Sequence, residues 1–327
     1  MTNAQSDGIV FDRANRTLTT PDLRSRVLVR LLQGTHKMLA PIGHIGISRA
    51  HGLINKIMRP TTTTLVQEGA FQFRFPSNDY YWNRLLDASW SYEPEIDFIL
   101  KRFAQTPFVF ADLGANFGYW SARVGAGLYG PHRAIAVEAS DYCFSILERN
   151  IAGTSVSAHH RAIDDTSGRT IPLFGDRHAG FSIDNSWYGA SENKVNEVVS
   201  ITVDDLLAAE GVDCEREPVI VKLDVEGVEL RALTGAARTI AGQSAFIIED
   251  ADRDGPSDAV RHAVDQLGMS IFAIEDDRFV ELPTHKDLER VKASRSRIQA
   301  TGLNLVATKS PFWLDKLRAQ TAAPGPQ

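Results

Sequence analysis

Cysteine is nearly missing from this chain: among 327 residues only Cys143 and Cys214 occur, and neither stands in a Cys-x-x-Cys or Cys/His spacing. A disulfide framework and a cysteine-ligated zinc site are therefore not implied. A basic excess is missing too. The formal net charge of −6 argues against a general nucleic-acid binder, which needs a basic face to neutralise phosphates. No run of residues is long and apolar enough to span a bilayer, and Met1 to Asp12 lacks the apolar core of a secretory signal, so a cytoplasmic protein is expected. The dinucleotide fingerprint Gly-x-Gly-x-x-Gly is also absent from the strand-to-helix turns. What remains, 43% apolar and 23% charged residues, suits one globular α/β domain with an N-terminal extension. The divisions expected are an extension over 1–65, partly helical and partly without regular structure; a main domain over 66–310; and a helix with an irregular tail over 311–327.

Along the extension, residues 1 to about 20 are polar, and Pro21 to Leu32 has the apolar spacing of a helix. Residues 35–60 interleave His, Lys and Arg with apolar residues and glycines. They suit a packed segment with a solvated basic side, a lid over an acceptor, or a surface that meets a second copy or a membrane. Val66 to Phe75 alternates as a strand or hairpin, and 79–86 and 93–103 read as helices, the second with Pro94 in its first turn. Strands are then expected at 108–112, 133–138, 156–161, 218–224 and 245–249, with helices at 117–128, 141–150, 203–210, 227–240 and 256–267. Such alternation calls for a parallel sheet covered by helices on both faces. Apolar runs at 270–274, 278–282 and 304–307 would supply the last strands, one of them antiparallel, with few helical signals between them.

The chemistry gathers where these strands end. Phe108 to Phe110 runs into Asp112-Leu-Gly114-Ala-Asn116-Phe-Gly118, a turn that brings backbone close to a ligand at the carboxyl edge of the sheet. A carboxylate there would repel a pyrophosphate and attract an amine or sulfonium. The loop therefore reads as a site for S-adenosylmethionine, with Asp112, Gly114, Asn116 and Gly118 near its amino-acid end. Glu138, at the next strand end and followed by Ala139, can accept from both hydroxyls of a ribose, as acidic residues at this place do in NAD enzymes as well. Asp164 and Asp165 at the third strand end suit either an adenine amine or a plain turn.

Val219 to Glu229 takes a buried strand into a cluster of charge, and period-two alternation puts Lys222 and Asp224 on one side of it. Asp224 is the first candidate to act as base or to orient an acceptor hydroxyl, with Lys222, Glu249 and His178 behind it. Asp224 also counts among the cofactor-edge residues. Glu226 and Glu229 fit the start of a helix, where carboxylates complement the dipole. Asp224, Glu249 and Asp250 suit a magnesium ion or a metal-free acidic wall, and the reading favours no metal. His178 sits in the glycine-flanked stretch Gly175 to Ser182, which reads as a flexible loop able to meet an acceptor.

Taken together, Asp112 to Gly118, Val137-Glu138-Ala139, Thr202 to Leu206, the string Lys222-Leu-Asp-Val-Glu-Gly-Val-Glu229, Gly235-Ala236 and Ile247-Ile248-Glu249 resemble the FkbM family of S-adenosylmethionine methyltransferases over about residues 90 to 250. Tyr92-Glu93-Pro94-Glu95 is similar to the family's pattern as well and adds Glu93 to the cofactor-binding candidates. The resemblance implies a Rossmann-like class I methyltransferase fold, α/β with a seven-stranded, mostly parallel sheet. It further implies O-methylation of a small-molecule or glycan acceptor such as a sugar or a polyketide-type compound. Ala139 departs from the proline common after the ribose-binding glutamate, and residues 1–65 match nothing in the pattern. Rival readings are a non-catalytic protein that keeps the cofactor fold, or an NAD-dependent oxidoreductase, against which Asp112 and the absent fingerprint count.

Overall fold

The computed structural model describes residues 8–39, 47–68, 71–185, 192–250, 255–294 and 302–321. The chain divides into two compact units, one through Pro94 and one from Glu95. The expected boundary at residue 65 falls inside a strand, Thr62–Gln67. In the first unit β1 (Ile9–Asp12), β2 (Thr17–Thr19), β3 (Thr62–Gln67) and β4 (Phe71–Pro76) form a sheet in the order β2-β1-β3-β4. Residues 8–20, expected to lack regular structure, thus supply two strands, because Ile9 and Phe11 alternate inward and are buried. The first seven residues and the tail over 322–327 lie outside the described residues.

Between β2 and β3 run α1 (Leu23–Leu39) and α2 (Ile47–Ile57). Leu28, Val29 and Leu32 bury one side of α1. Arg24 Nη2 donates to the Ile57 carbonyl at 2.7 Å, and Thr35 Oγ1 lies 3.0 Å from His51 Nε2, so the two helices run antiparallel. The stretch expected as a helix at 79–86 is a 3₁₀ turn, Trp82–Leu86, and Trp82 packs edge-on against Phe73.

The second unit opens with α3 (Pro94–Arg102) and continues through β5 (Val109–Leu113), α4 (Tyr119–Gly125), β6 (Arg133–Glu138), α5 (Asp141–Ile151) and β7 (Ser157–His160). Three strands follow, β8 (Ala162–Ile163), β9 (Thr170–Phe174) and β10 (Lys194–Ile201). The chain then runs through α6 (Val203–Ala209), β11 (Val219–Leu223), α7 (Glu229–Thr234), α8 (Ala237–Ala241), β12 (Ser244–Asp250) and α9 (Asp258–Asp265). It closes with β13 (Ser270–Glu275), β14 (Arg278–Leu282), α10 (His285–Ser294), β15 (Leu303–Thr308) and α11 (Pro311–Ala319).

The main sheet has the order β14-β13-β15-β12-β11-β5-β6-β7. It therefore has eight strands where seven were expected, the extra one being the edge hairpin strand β14. The pairs from β12 to β7 are all parallel, whereas β15 is antiparallel to both β12 and β13, and β14 is antiparallel to β13. Two strands, not one, thus run against the rest. The helix expected over 227–240 breaks into α7 and α8 at Gly235, where a Cβ would meet the Asp164 carbonyl at 2.6 Å. The helix α10 was not foreseen, since its buried contribution is only Leu288 and Val291 among charged residues.

One face of the sheet, through Ala111, Leu113, Val221, Leu223, Phe246 and Ile248, packs on the apolar sides of α6 to α10. Alternation turns Phe110 and Asp112, and likewise Ile220 and Lys222, to the opposite face. Phe246 is wholly buried in the first of these layers. Phe246→Ala should lower unfolding stability by about 3–5 kcal/mol. A urea titration followed by circular dichroism measures this, and a loss below about 1 kcal/mol would mean that the layer collapses around the gap.

Candidate active site at the carboxyl edge of the sheet

The β5 strand delivers Asp112 into a fully buried position at the sheet edge. There Asp112 does the work of a helix cap. The N-cap position of α4 is Gly118, which has no side chain to satisfy the free amides of the first turn. Asp112 Oδ2 accepts instead from the Ser121 amide at 3.1 Å and from its hydroxyl at 2.5 Å. Burial still holds the Asp112 carboxyl above its usual range, against the pull of the Lys222 ammonium. Its Oδ1 is buried and has no hydrogen-bond partner, with Lys222 Nζ 4.0 Å away.

The turn that follows is held by close backbone approach. Gly114 has φ +81°, and a Cβ there would overlap the Asp224 carbonyl, so only glycine fits. The amides of Gly114 and Ala115 both donate to the Val137 carbonyl, at 3.0 and 2.8 Å. At Gly118, φ +80°, a side chain would collide with Leu147 of α5. Asn116, between them at φ +51°, is one of the few non-glycine residue types that tolerate this region. Its backbone N–H points at Glu138.

Glu138 ends β6 and is almost fully buried. Its Oε2 accepts from the Asn116 amide and its Oε1 from the Ser140 amide, each at 2.8 Å. Burial pushes the Glu138 carboxyl up to about 7 even though these amides and the nearby His178 favour its charged form. Each oxygen thus has an amide bonded, and a carboxylate oxygen carries two lone pairs. The Ala139 carbonyl is taken by His160 Nε2 and Asn196 Nδ2, both at 3.0 Å.

On β11, Lys222 stands opposite Asp112 in register and is 3% exposed. Its ammonium donates to Asp224 Oδ2 at 2.7 Å. Two carboxyl groups thus lie beside one lysine at the centre of the edge. Beyond them Glu226 takes φ +46°, and Glu229, whose carboxyl burial pushes up, accepts from the Gly227 amide at 3.1 Å as α7 begins.

The structure also brings in His178. Phe174 and Ser182 exchange backbone hydrogen bonds at 2.8 and 2.9 Å, closing the chain after β9 into a tight turn. His178 lies in the 3₁₀ turn His178–Gly180 at its tip, with its ring stacked on Phe117 at 4.7 Å and 24°. Asn116 Nδ2 donates to the His178 carbonyl at 2.9 Å. Sequence spacing separates these residues by 62 positions, so only the small sheet β8-β10-β9 reveals the pairing.

Three candidates remain. Asp164 is wholly buried, and its oxygens go to Arg169 and Arg231, each at 2.5 Å, and to the Asp165 amide at 2.8 Å. Its carboxylate clasps β9 and α7 to the end of β8. Glu249 lies one residue beyond the register of β11 with β12 and packs against Gly302, where a Cβ would strike its carboxylate. Glu93 belongs to the first unit, at φ +40° just before α3. Sequence reading missed Ser121, Arg169 and Arg231. Ser121 alone left a readable trace, a hydroxyl in the first turn of a helix whose cap position is glycine. Among the described residues no three His, Cys, Asp or Glu side chains converge on a common point to hold a metal ion. No helix among them is long and apolar enough to cross a membrane.

Residues 112–269 match the family model of the methyltransferase FkbM domain. No curated protein matches the chain. The matched segment contains the Asp112 turn, Glu138, His178 and the Lys222–Asp224 pair, and it excludes Glu93.

The raised Glu138 carboxyl makes stability depend on pH. Its folded-state affinity for a proton exceeds the ordinary value of 4.5, so its contribution is complete below that pH and is lost as pH rises through about 7. Relative to Glu138→Gln, the native protein should lose on the order of 3 kcal/mol between these limits. Urea midpoints at pH 5 and pH 8 for both proteins test this, and parallel pH profiles would refute it.

Proposed function

With a methyltransferase FkbM domain at residues 112–269 as the premise, we propose that the chain moves the methyl of S-adenosylmethionine to a hydroxyl of a sugar, glycan or polyketide-type acceptor. The observation that carries this reading is the pairing of Glu138 with the Asn116 and Ser140 amides. That pairing fixes both carboxylate oxygens at the strand edge with lone pairs to spare, as a ribose with two adjacent hydroxyls requires.

The cofactor fits the residues present. Asp112, with its buried Oδ1 lacking a hydrogen-bond partner, and Asp224 place two acidic side chains beside Gly114 around the shared Lys222. Such an edge suits an ammonium or sulfonium and opposes a pyrophosphate. When bound, S-adenosylmethionine supplies an electrophilic methyl on sulfur. The protein's own contribution is alignment together with removal of one proton. Asp112, Gly114, Asn116 and Gly118 hold the amino-acid end, Glu138 holds the ribose, and Ala139 lies at the adenosine wall. Asp224 Oδ2 is fixed by Lys222, so the carboxylate is positioned to accept the proton of the acceptor hydroxyl. His178, stacked on Phe117, closes the side of the cradle next to Asn116 and takes part in acceptor contact. Glu249 extends the acidic edge beyond Asp224. Asp164, whose carboxylate is given to two arginines, acts on an adenine only through its backbone or its neighbour Asp165.

Two measurements test this. In isothermal calorimetry S-adenosylmethionine and S-adenosylhomocysteine should bind and NAD should not, and Glu138→Ala should weaken binding by about ten- to a hundred-fold per lost hydrogen bond. Binding of NAD alone would refute the assignment. Once an acceptor is identified by a one-methyl mass increment in glycan or metabolite fractions, Asp224→Asn should lower kcat by about 10²–10⁴-fold with little change in cofactor affinity. An Asp224→Asn enzyme at full turnover would remove Asp224 from its role as base.

A further inference from the structure

Six of the nine exposed large apolar side chains among the described residues lie on just two helices of the first unit. On α1 these are Leu23, Val27, Leu31 and Met38, with Leu23, Met38 and Leu31 respectively 73, 79 and 51% exposed. On α2 they are Leu53 and Ile57, at 67 and 53%. The first three are spaced by four residues and form one stripe, opposite the buried stripe of Leu28, Val29 and Leu32. α1 is thus apolar on two sides, and only one of them is used by its own fold. The contacts of Arg24 with Ile57 and of Thr35 with His51 set α2 antiparallel beside it.

Charge in this stretch has a single sign. Between Asp22 and Glu68 the sequence has seven Lys and Arg residues and no Asp or Glu, within a chain whose net charge is −6. Arg26 and Arg30 flank the α1 stripe, Arg49 and Lys56 flank Leu53 on α2, and all four are exposed. An apolar stripe bordered by cations on a helix pair has the make-up of an in-plane interfacial element. The apolar residues enter the acyl boundary while the arginines meet phosphate headgroups.

We infer that the outer face of α1 and α2 binds the surface of an anionic phospholipid bilayer. The assignment is independent of the methyl-transfer reading, since it uses no residue of the carboxyl-edge site. The test is co-sedimentation of the full chain with phosphatidylcholine vesicles, with and without about a third phosphatidylglycerol, at low and high salt. The protein should pellet with the anionic vesicles and be released as salt screens the arginines. Arg26→Gln with Arg30→Gln should weaken partitioning by at least about ten-fold, taking the contribution of each cation near such a surface as about five-fold. Leu31→Asp with Leu53→Asp should abolish it, with circular dichroism and cofactor binding unchanged because both side chains face solvent. If the leucine pair fails to fold, the arginine pair decides alone. Equal pelleting with neutral vesicles, or none with either, would overturn the inference. So would a wild-type dimer in light scattering that the leucine substitutions dissociate, which would assign the face to a second copy of the chain.

Discussion

The register of β5 against β11 is the constraint on which the rest of the carboxyl-edge site depends. It sets Asp112 opposite Lys222 and Leu113 opposite Leu223, so that the two chains leave the sheet side by side. Just past that point the Gly114 Cα lies against the Asp224 carbonyl, and the Asp224 amide donates to the Leu113 carbonyl at 3.1 Å. A slip of one residue would turn Asp112 and Lys222 to the other face of the sheet, into an aliphatic layer. The ion pair, the cap of α4 and the Gly114 turn would be lost together. One strand pairing therefore decides three local structures at once.

The same edge concentrates charge that burial disfavours. Asp112 and Lys222 are both nearly inaccessible, and Glu138 is close behind. Buried charges of this kind are retained only when partners satisfy them. Here the partners are mostly backbone amides of the first helical turns and of the Asn116 loop, groups that the helix starts leave free in any case. Asp112 with Ser121, and Glu138 with Asn116 and Ser140, follow this rule. The helix ends thus orient the carboxylates, and the carboxylates hold the helix ends.

Away from the edge, Asp164 shows a buried acid used for architecture. Arg169 and Arg231 approach it from β9's side and from α7, which fastens the inserted strands β8 to β10 to the body of the second unit. Those strands carry the turn that sets His178 against Phe117 and Asn116. A residue chosen from the sequence as a ligand contact is here a fastening that positions another candidate.

The alternation of apolar runs with helical periods sufficed to find every strand of the parallel core and the helices between them, because burial on both faces leaves long uninterrupted apolar signals. Residue type singled out Asp112, Gly114, Gly118, Glu138, Lys222 and Asp224, and the structure places them at or just past the carboxyl ends of β5, β6 and β11. Weak local signals were illegible: Ile9 to Asp12 as a strand, the short inserted sheet, and α10. What the tertiary structure alone decided is which charges meet. Lys222 could have faced Asp112, Asp224 or solvent, Asp164 could have met a ligand in place of two arginines, and His178 could have swung free. Each of these outcomes is set by strand register and by contacts between residues far apart in the chain, and local sequence does not encode distances of that kind. The sequence by itself determined the fold's alternation and the kinds of side chain at the strand ends, and the packing of the sheet determined which of those groups lie together.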